Sequence, residues 1–246
     1  ETPEEDDYRR IADLKTTLLQ KEARFNELSA ERDKLTLTEE AIAKVIVEKD
    51  IYCVADEMYE NLIYEGYEAV SIASLNEEIY KRTITCSGVA KSYAMTGWRI
   101  GFIGAPLVIA KACNKLQGQV TSATCSIAQR ATIEAMLMDP TTSKDIIDMR
   151  NKFKERRDLV YKLLKEIPNV NVRMPQGAFY FFPEVSAYYG KSYKDYTINN
   201  STDLCMYLLY EANVATVQGS AFGDDTRIRL SYATSEMPIL RNADGE

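Results

Sequence analysis

Two short apolar runs end beside charged or reactive residues, and they limit the folds open to this chain. Ile51-Tyr52-Cys53-Val54-Ala55-Asp56 reads as a strand ending in a carboxylate. Arg82-Thr83-Ile84-Thr85-Cys86 reads as a second strand ending just before the run Ser87-Gly88-Val89-Ala90-Lys91. Chemistry placed just past strand C-terminal ends is the arrangement by which open α/β sheets bind ligands. Ile100 to Ala105 makes a third strand, Pro106 opens a helix toward Leu116, and a further helix covers Ile127 to Leu137. The longest periodic stretch begins near Thr142, carries Ile146, Met149, Phe153, Val160, Leu163 and Ile167 on one face, and ends before Pro168. Beyond it lie predicted strands at Val170 to Arg173 and Ala178 to Phe182, a helix from Thr202 to Asn213, and strands at Ala215 to Gln218 and Arg227 to Tyr232. This alternation specifies an α/β or α+β second unit.

Residues 1 to 35 read as a long charged helix whose Ile11, Leu14, Leu18, Phe25, Leu28 and Leu35 follow a heptad interrupted by Lys21 and Arg32. An amphipathic helix lying on its own domain and a short coiled coil with a partner both suit that pattern. Thr36 and Thr38, followed by Glu39 and Glu40, give the N-cap and acidic first turn of a helix running to about Lys49. The expected division is therefore a charged N-terminal helix at 1–37, a first α/β unit at 38–141, a linking helix at 142–167 and a smaller unit at 168–246.

The 246 residues are 46% apolar, enough for a substantial core, and their net charge of -7 comes with dispersed basic residues. That balance argues against nucleic acid or an anionic membrane as partner. No apolar run approaches the ~20 residues of a membrane span, and the acidic start Glu1 to Asp7 is unlike a leader. Cys53, Cys86, Cys113, Cys125 and Cys205 are widely spaced, with no C-x-x-C pair, which points to a reducing compartment, the cytoplasm or an organelle matrix.

The chain contains no histidine, so Ser/His/Asp and Cys/His pairs and imidazole-bearing zinc sites are excluded. Lys91, on a turn between a β-branched stretch and a Gly-rich one, is the remaining centre of chemistry. Its ε-amine suits Schiff-base formation, because it condenses with carbonyls and loses its proton readily when desolvated.

Ser87 to Phe102, with Ala55-Asp56-Glu57-Met58-Tyr59-Glu60 and Arg229-Leu230-Ser231-Tyr232-Ala233-Thr234, resembles the class I aminotransferases, enzymes of fold type I dependent on pyridoxal phosphate (PLP). Pro175 to Tyr180 and Val217 to Gly223 resemble small-domain segments of the same family. Five segments in the family's order make chance similarity remote. The resemblance implies that Lys91 forms the Schiff base with PLP and then shuttles the substrate proton. It implies that Asp56 pairs with the pyridine nitrogen, that Tyr59 bonds the ring's phenolic oxygen, and that Arg99 holds the phosphate. Ser87 and Gly88 would complete the phosphate cup, although many relatives carry serine directly before the lysine where this chain has Ala90. Arg229 would grip the substrate carboxylate, with Arg227, two residues earlier on the same strand face, as a rival. Trp98 and Met95 read as packing anchors, and Gly97, Gly101 and Gly104 as serving backbone geometry.

The implied fold is PLP-transferase fold type I, with an incomplete large domain built on a mostly parallel sheet and a small C-terminal α/β domain. A complete member carries a substantial segment ahead of the position of Thr38, including several strands, a Gly-rich phosphate turn, an aromatic that stacks on the cofactor and an Asn-Pro-x-Gly run. Residues 1 to 37 hold no counterpart. The large-domain sheet is thus expected to expose an apolar edge and face. Two functions follow. One is a transaminase, aspartate aminotransferase-like, acting on an amino acid and a 2-oxo acid as a homodimer or larger assembly. The other is a non-catalytic interaction module built from the same fold.

Overall fold

The computed structural model describes residues 39–234. The charged helix predicted at 1–35, its heptad face and the cap residues Thr36 and Thr38 lie outside that range. The first described element, α1 (Glu39–Glu48), begins with the acidic pair Glu39 and Glu40 and turns Ala43 and Ile46 inward. Strand β1 (Cys53–Asp56) follows. A one-turn helix, α2 (Glu77–Tyr80), lies in the crossover, and the Asn76 side chain accepts from the backbone N–H groups of Glu78 and Ile79 at its start. Ala43, Ile46, Ile72 and Ile79 form one core beneath this crossover.

Strand β2 (Thr83–Gly88) pairs parallel with β1 from Cys53↔Thr83 to Asp56↔Cys86. Strand β3 (Gly101–Gly104) returns antiparallel, from Thr85↔Gly104 to Gly88↔Gly101. The parallel character expected of this sheet rests on β1–β2 alone. The chain between β2 and β3 doubles straight back without the long crossover that a parallel neighbour requires. Helices α3 (Leu107–Val120) and α4 (Ser126–Leu137) come next, the first of them a turn longer than the sequence pattern indicated. Every residue of β3 is exposed and α3 buries none. Val54 on β1 and Phe102 and Ile103 on β3 are exposed, in line with the apolar edge and face expected of this sheet, and Leu107, Val108, Val120, Ile127 and Leu137 on the helices also stand in the open.

Helix α5 (Lys144–Glu166) carries the longest periodic face. Ile146 and Leu164 are buried on it, with Met149, Phe153 and Val160 packed partly in, whereas Leu163 and Ile167 are not part of the buried stripe. The helical spacing is completed by a charged residue, the buried Arg157. Its Nε donates to Asp158 at 2.9 Å, its Nη1 donates to the Pro175 carbonyl at 3.2 Å, and its guanidinium lies 4.3 Å from the Tyr64 ring centre. Its polar atoms are therefore bonded, as burial of a charge demands.

The second sheet has the order β4 (Tyr180–Phe181), β8 (Ile228–Ser231), β7 (Val217–Gln218), all antiparallel. The strand predicted at Val170 to Arg173 reduces to one bridge, Asn171↔Glu184. Pro168 and Pro175 bracket that segment and Pro183 faces it, each without an N–H to extend a ladder. A small hairpin, β5 (Ser192–Tyr193) and β6 (Tyr196–Thr197), turns through Lys194 in the left-handed region and had no sequence reading. Helix α6 (Ser201–Ala212) starts at Asn200, whose side chain accepts from Asp203 N–H, and ends at a left-handed Asn213.

The two sheets meet through the segment after β1. Tyr64 N–H donates to Gln176 O at 3.0 Å and Ala178 N–H to Leu62 O at 2.8 Å, on either side of the bridge Ile63↔Gly177. Leu62 and Tyr64 are buried in the same core as Val172, Phe179, Phe181 and Tyr232. A Cβ on Gly177 would stand 2.8 Å from Ile63 Cδ1 and 2.9 Å from Leu62 O, so this close approach requires glycine.

Two stability predictions follow from this core. Phe181, with 1% of its surface exposed, packs 5.3 Å from the Tyr232 ring centre and lies parallel to Tyr161. Phe181→Ala should cost about 3–5 kcal/mol in urea unfolding, with the midpoint lowered and the slope retained. Burial pushes up the phenols of Tyr64 and Tyr232, and burial with the nearby Asp225 and Asp224 carboxylates pushes Tyr189 up to about 12. A phenol whose folded value lies above its ordinary 10.0 contributes stability below that value and loses it as pH climbs toward the folded one. The urea midpoint should therefore fall between pH 10 and 12, and Tyr189→Phe should flatten that fall.

Candidate active site

Asp56 is the last residue of β1, and its exposed carboxylate accepts from Met58 N–H at 3.1 Å, turning the chain sharply after the strand. Glu57 N–H extends the parallel ladder to Cys86 O at 2.8 Å. The turn puts Tyr59 against the second sheet, where its ring meets Phe179 edge-on at 5.4 Å and Tyr180 at 6.1 Å. The Tyr59 hydroxyl donates to the Tyr180 hydroxyl at 3.3 Å. Burial, then that hydrogen bond, then the neighbouring Asp56 charge push the Tyr59 phenol well up, and the Arg229 guanidinium pulls the other way. Tyr59 is consequently a neutral hydrogen-bond donor across the physiological range.

Lys91 sits on the loop between β2 and β3. Buried Val89 and Ile100 anchor that loop against Ala128 and Ala135 of α4, with Tyr93 and Met95 packed beside them. The Lys91 amine stands 5.5 Å from the Phe179 ring centre and 6.0 Å from that of Tyr59. Among the described residues no carboxylate pairs with it. The next side chain, Ser92, is 1% exposed and its hydroxyl has no partner.

At the other end of the loop Arg99 adopts the left-handed conformation, φ 57° and ψ 47°, which costs a non-glycine residue roughly 1–2 kcal/mol. Its Nη1 donates to the Thr96 carbonyl at 3.0 Å, and no carboxylate among the described residues pairs with it. Gly88 is where backbone closeness demands glycine: a Cβ there would lie 2.8 Å from Ile100 O and 3.1 Å from Met58 Cε. Gly97 and Gly104, expected to serve backbone geometry, would meet nothing within 4 Å. Trp98, expected to be a packing anchor, is 45% exposed and lines a shallow groove with Ile127, Arg130 and Glu134 of α4. It stands on the open flank of the loop, whereas Met95 points into the core.

Ser87 is buried, and its hydroxyl donates to Glu60 Oε1 at 3.4 Å. Arg229, on β8, is held between two rings, its guanidinium carbon 4.6 Å from the centre of Tyr180 and 4.5 Å from that of Phe222. Its rival Arg227 is committed elsewhere. Arg227 Nε pairs with Asp224 at 2.8 Å and its Nη1 donates to the Phe182 carbonyl at 3.3 Å.

The structure thus gathers Tyr59, Lys91 and Arg229 around Phe179 and Tyr180, with Asp56 at the strand end three residues before Tyr59. Arg99 stands on the same loop as Lys91 without touching that group, and Ser87 and Gly88 lie in the strand that carries the loop. Tyr180, Phe222 and Glu60 were not singled out from sequence. For Tyr180 a signal existed: alternation along Phe179-Tyr180-Phe181-Phe182 sends Phe181 into the core and Tyr180 to the opposite face. An uncommitted amine between aromatic faces, a carboxylate at a strand end, a guanidinium lacking a carboxylate and an orphaned buried hydroxyl beside the lysine fit a group bearing a carbonyl, a ring nitrogen and a phosphate. PLP is such a group.

The comparisons agree. Residues 35–243 match the family model for aminotransferase class I and II. A bifunctional aspartate aminotransferase and glutamate/aspartate-prephenate aminotransferase of Petunia hybrida is 43% identical over 198 residues, 80% of this chain and 41% of that protein. An aspartate aminotransferase of Pinus pinaster is 40% identical over 206 residues, 83% of this chain and 42% of its own length. Among solved structures, the aspartate aminotransferase of Rhizobium meliloti superimposes with a TM-score of 0.78 at 36% identity, over 85% of this chain and 53% of that one. An aromatic aminotransferase of Pyrococcus horikoshii gives 0.76 at 36%, over 85% and 54%. This chain spans about half the length of the relatives it matches. With a match that covers most of its residues and a shared fold type I architecture, the chain belongs to the class I and II aminotransferase family.

Proposed function

We propose that this chain carries the Schiff-base lysine and the carboxylate grip of a PLP-dependent transaminase that moves an amino group between an L-amino acid and a 2-oxo acid. The observation that carries the reading is the Lys91 amine, 5.5 Å and 6.0 Å from two aromatic centres and without a carboxylate partner among the described residues. An amine so placed is not held by an ion pair, which leaves its nitrogen open to attack a carbonyl. Bound PLP supplies that carbonyl and a cationic ring able to take up an electron pair from the substrate. Lys91 Nζ would bond the carbonyl carbon of the cofactor, and its amine would carry the proton taken from the substrate α-carbon to the cofactor. Asp56 would hold a proton on the pyridine nitrogen, and neutral Tyr59 would donate to the phenolic oxygen. Arg99, which spends Nη1 on the Thr96 carbonyl and has no carboxylate partner among the described residues, would offer its remaining donors to the phosphate. Gly88 brings backbone close by, while Ser87 must turn from Glu60 to join it. Arg229 takes the α-carboxylate.

Aspartate is the proposed donor, supported by the aspartate aminotransferase names among the relatives. A homodimer or larger assembly is proposed for the whole protein, in keeping with the apolar surface left open on α3 and α4. No helix among the described residues is long and apolar enough to cross a membrane. A reducing compartment suits five unpaired thiols.

The deciding experiment is borohydride reduction of the protein with added PLP, followed by peptide mapping. The label should fall on Lys91, and Lys91→Ala should abolish it; a label that persists in this variant would refute the assignment. No label at all on the parent would favour the non-catalytic interaction module. Arg229→Lys should lower kcat/KM for the amino acid by about tenfold or more, because a single ammonium replaces a two-donor fork. Unchanged kcat/KM would move the carboxylate role to another residue.

A further inference from the structure

Arg229 differs from the other arginines near the site in how it is held. Arg227 is tied by an ion pair to Asp224, and Arg157 by one to Asp158. Arg229 is held by rings instead, with Tyr180 4.6 Å and Phe222 4.5 Å from its guanidinium carbon. A planar cation stacked on aromatic faces keeps its N–H edge free, while rotation out of plane brings its hydrogens against carbon. Tyr180 also reaches the opposite end of the site, since its hydroxyl accepts the Tyr59 proton at 3.3 Å. Phe222 closes the second side from the turn Gly219–Phe222, braced edge-on by Phe182 at 5.9 Å, and remains 48% exposed. That turn is packed closely at its start: a Cβ on Gly219 would lie 2.1 Å from Asp224 O and 2.3 Å from Arg227 O.

We infer that Tyr180 and Phe222 are positioning residues that clamp the Arg229 guanidinium in one plane, leaving only its donor edge for a carboxylate, and that the Tyr180 hydroxyl ties this grip to the Tyr59 phenol. The inference rests on the transaminase reading for the identity of the carboxylate, an amino or 2-oxo acid. The clamp itself is a property of this chain's own residues. It makes Arg229 selective for planar, two-oxygen anions over spherical ones of equal charge, because a fixed fork matches a carboxylate in two parallel hydrogen bonds. It also links the two ends of the site: loosening Tyr180 frees Arg229 to turn and deprives the Tyr59 proton of its acceptor.

The test uses the full chain without cofactor, and reads guanidinium rotation by nitrogen-15 NMR, with Arg229→Lys identifying the signal. Slow rotation, seen as separate Nη resonances for Arg229, is expected in the parent. In Phe222→Leu, at a half-exposed position where folding is not at risk, those resonances should merge, and acetate added as probe should bind about three- to fivefold more weakly, with chloride binding unchanged. Tyr180→Phe keeps the ring and should retain slow rotation. In that variant the Tyr59 ring, followed by carbon-13 labelling, should begin to ionise at lower pH than in the parent, because the acceptor favouring the neutral phenol is gone. With PLP bound, Phe222→Leu should raise KM for the amino acid with kcat nearly held. Fast rotation in the parent, or separate resonances that survive in Phe222→Leu, overturns the clamp; unchanged Tyr59 ionisation in Tyr180→Phe overturns the link. None of these outcomes depends on Lys91 labelling, so failure of the transaminase reading and failure of the clamp are distinguishable.

Discussion

The site depends on one contact, the passage of residues 62–64 along Gln176, Gly177 and Ala178. Two backbone hydrogen bonds flank the Ile63↔Gly177 bridge, and Leu62 and Tyr64 are driven into a core that otherwise belongs to the second sheet. Burying two such side chains contributes about 3–6 kcal/mol, against about 1–3 kcal/mol for the two hydrogen bonds. The consequence is geometric. Tyr59 follows β1 on the short turn after Asp56 and is carried against Phe179 and Tyr180, the ring that also meets Arg229. The requirement for glycine at 177 follows from this contact and not from any left-handed turn, for that residue has no positive φ.

Electrostatics in the cluster are arranged by omission as much as by pairing. Elsewhere cations find carboxylates readily: Arg82 pairs with Asp50 and Glu78, Lys154 with Glu65 and Asp158, Lys194 with Glu211. Lys91 and Arg229 meet ring faces, and Arg99 meets a carbonyl. A carboxylate beside each would have stabilised its charge and filled its donors. Rings hold a cation in place by roughly 0.5–1 kcal/mol at exposed sites and leave its hydrogen-bonding edge open for an incoming anion or carbonyl. Tyr59 sits between opposing influences, with burial and Asp56 favouring the neutral phenol and Arg229 favouring the phenolate.

Much of this was legible in the residues. The apolar runs ending at Asp56 and ahead of Lys91 located β1 and β2, and the periodic face from Ile146 located α5. The segments around Lys91, Asp56 and Arg229 carry the family's pattern in the residues themselves. What the sequence could not carry was pairing across distance. The antiparallel return of β3 depends on how a loop folds back, and Val170 to Arg173 has strand composition but prolines on either side and opposite. The buried stripe of α5 runs through Arg157 because Tyr64 and Pro175, both remote in sequence, supply its partners. Hydrophobic periodicity has no means of placing a charged residue inside.

The same distinction separates the rivals Arg227 and Arg229, which period-two alternation places on one face of a strand. Asp224, three residues before Arg227, captures its Nε within the turn that precedes β8, and the Phe182 carbonyl takes Nη1. Arg229 lies two residues further on, beyond reach of that turn and opposite Val217, and is left to Tyr180 and Phe222. A local turn carboxylate thus engages one arginine and leaves the other with ring contacts only. Alternation sets both residues on one face, and the turn's own hydrogen bonds are what make their surroundings differ.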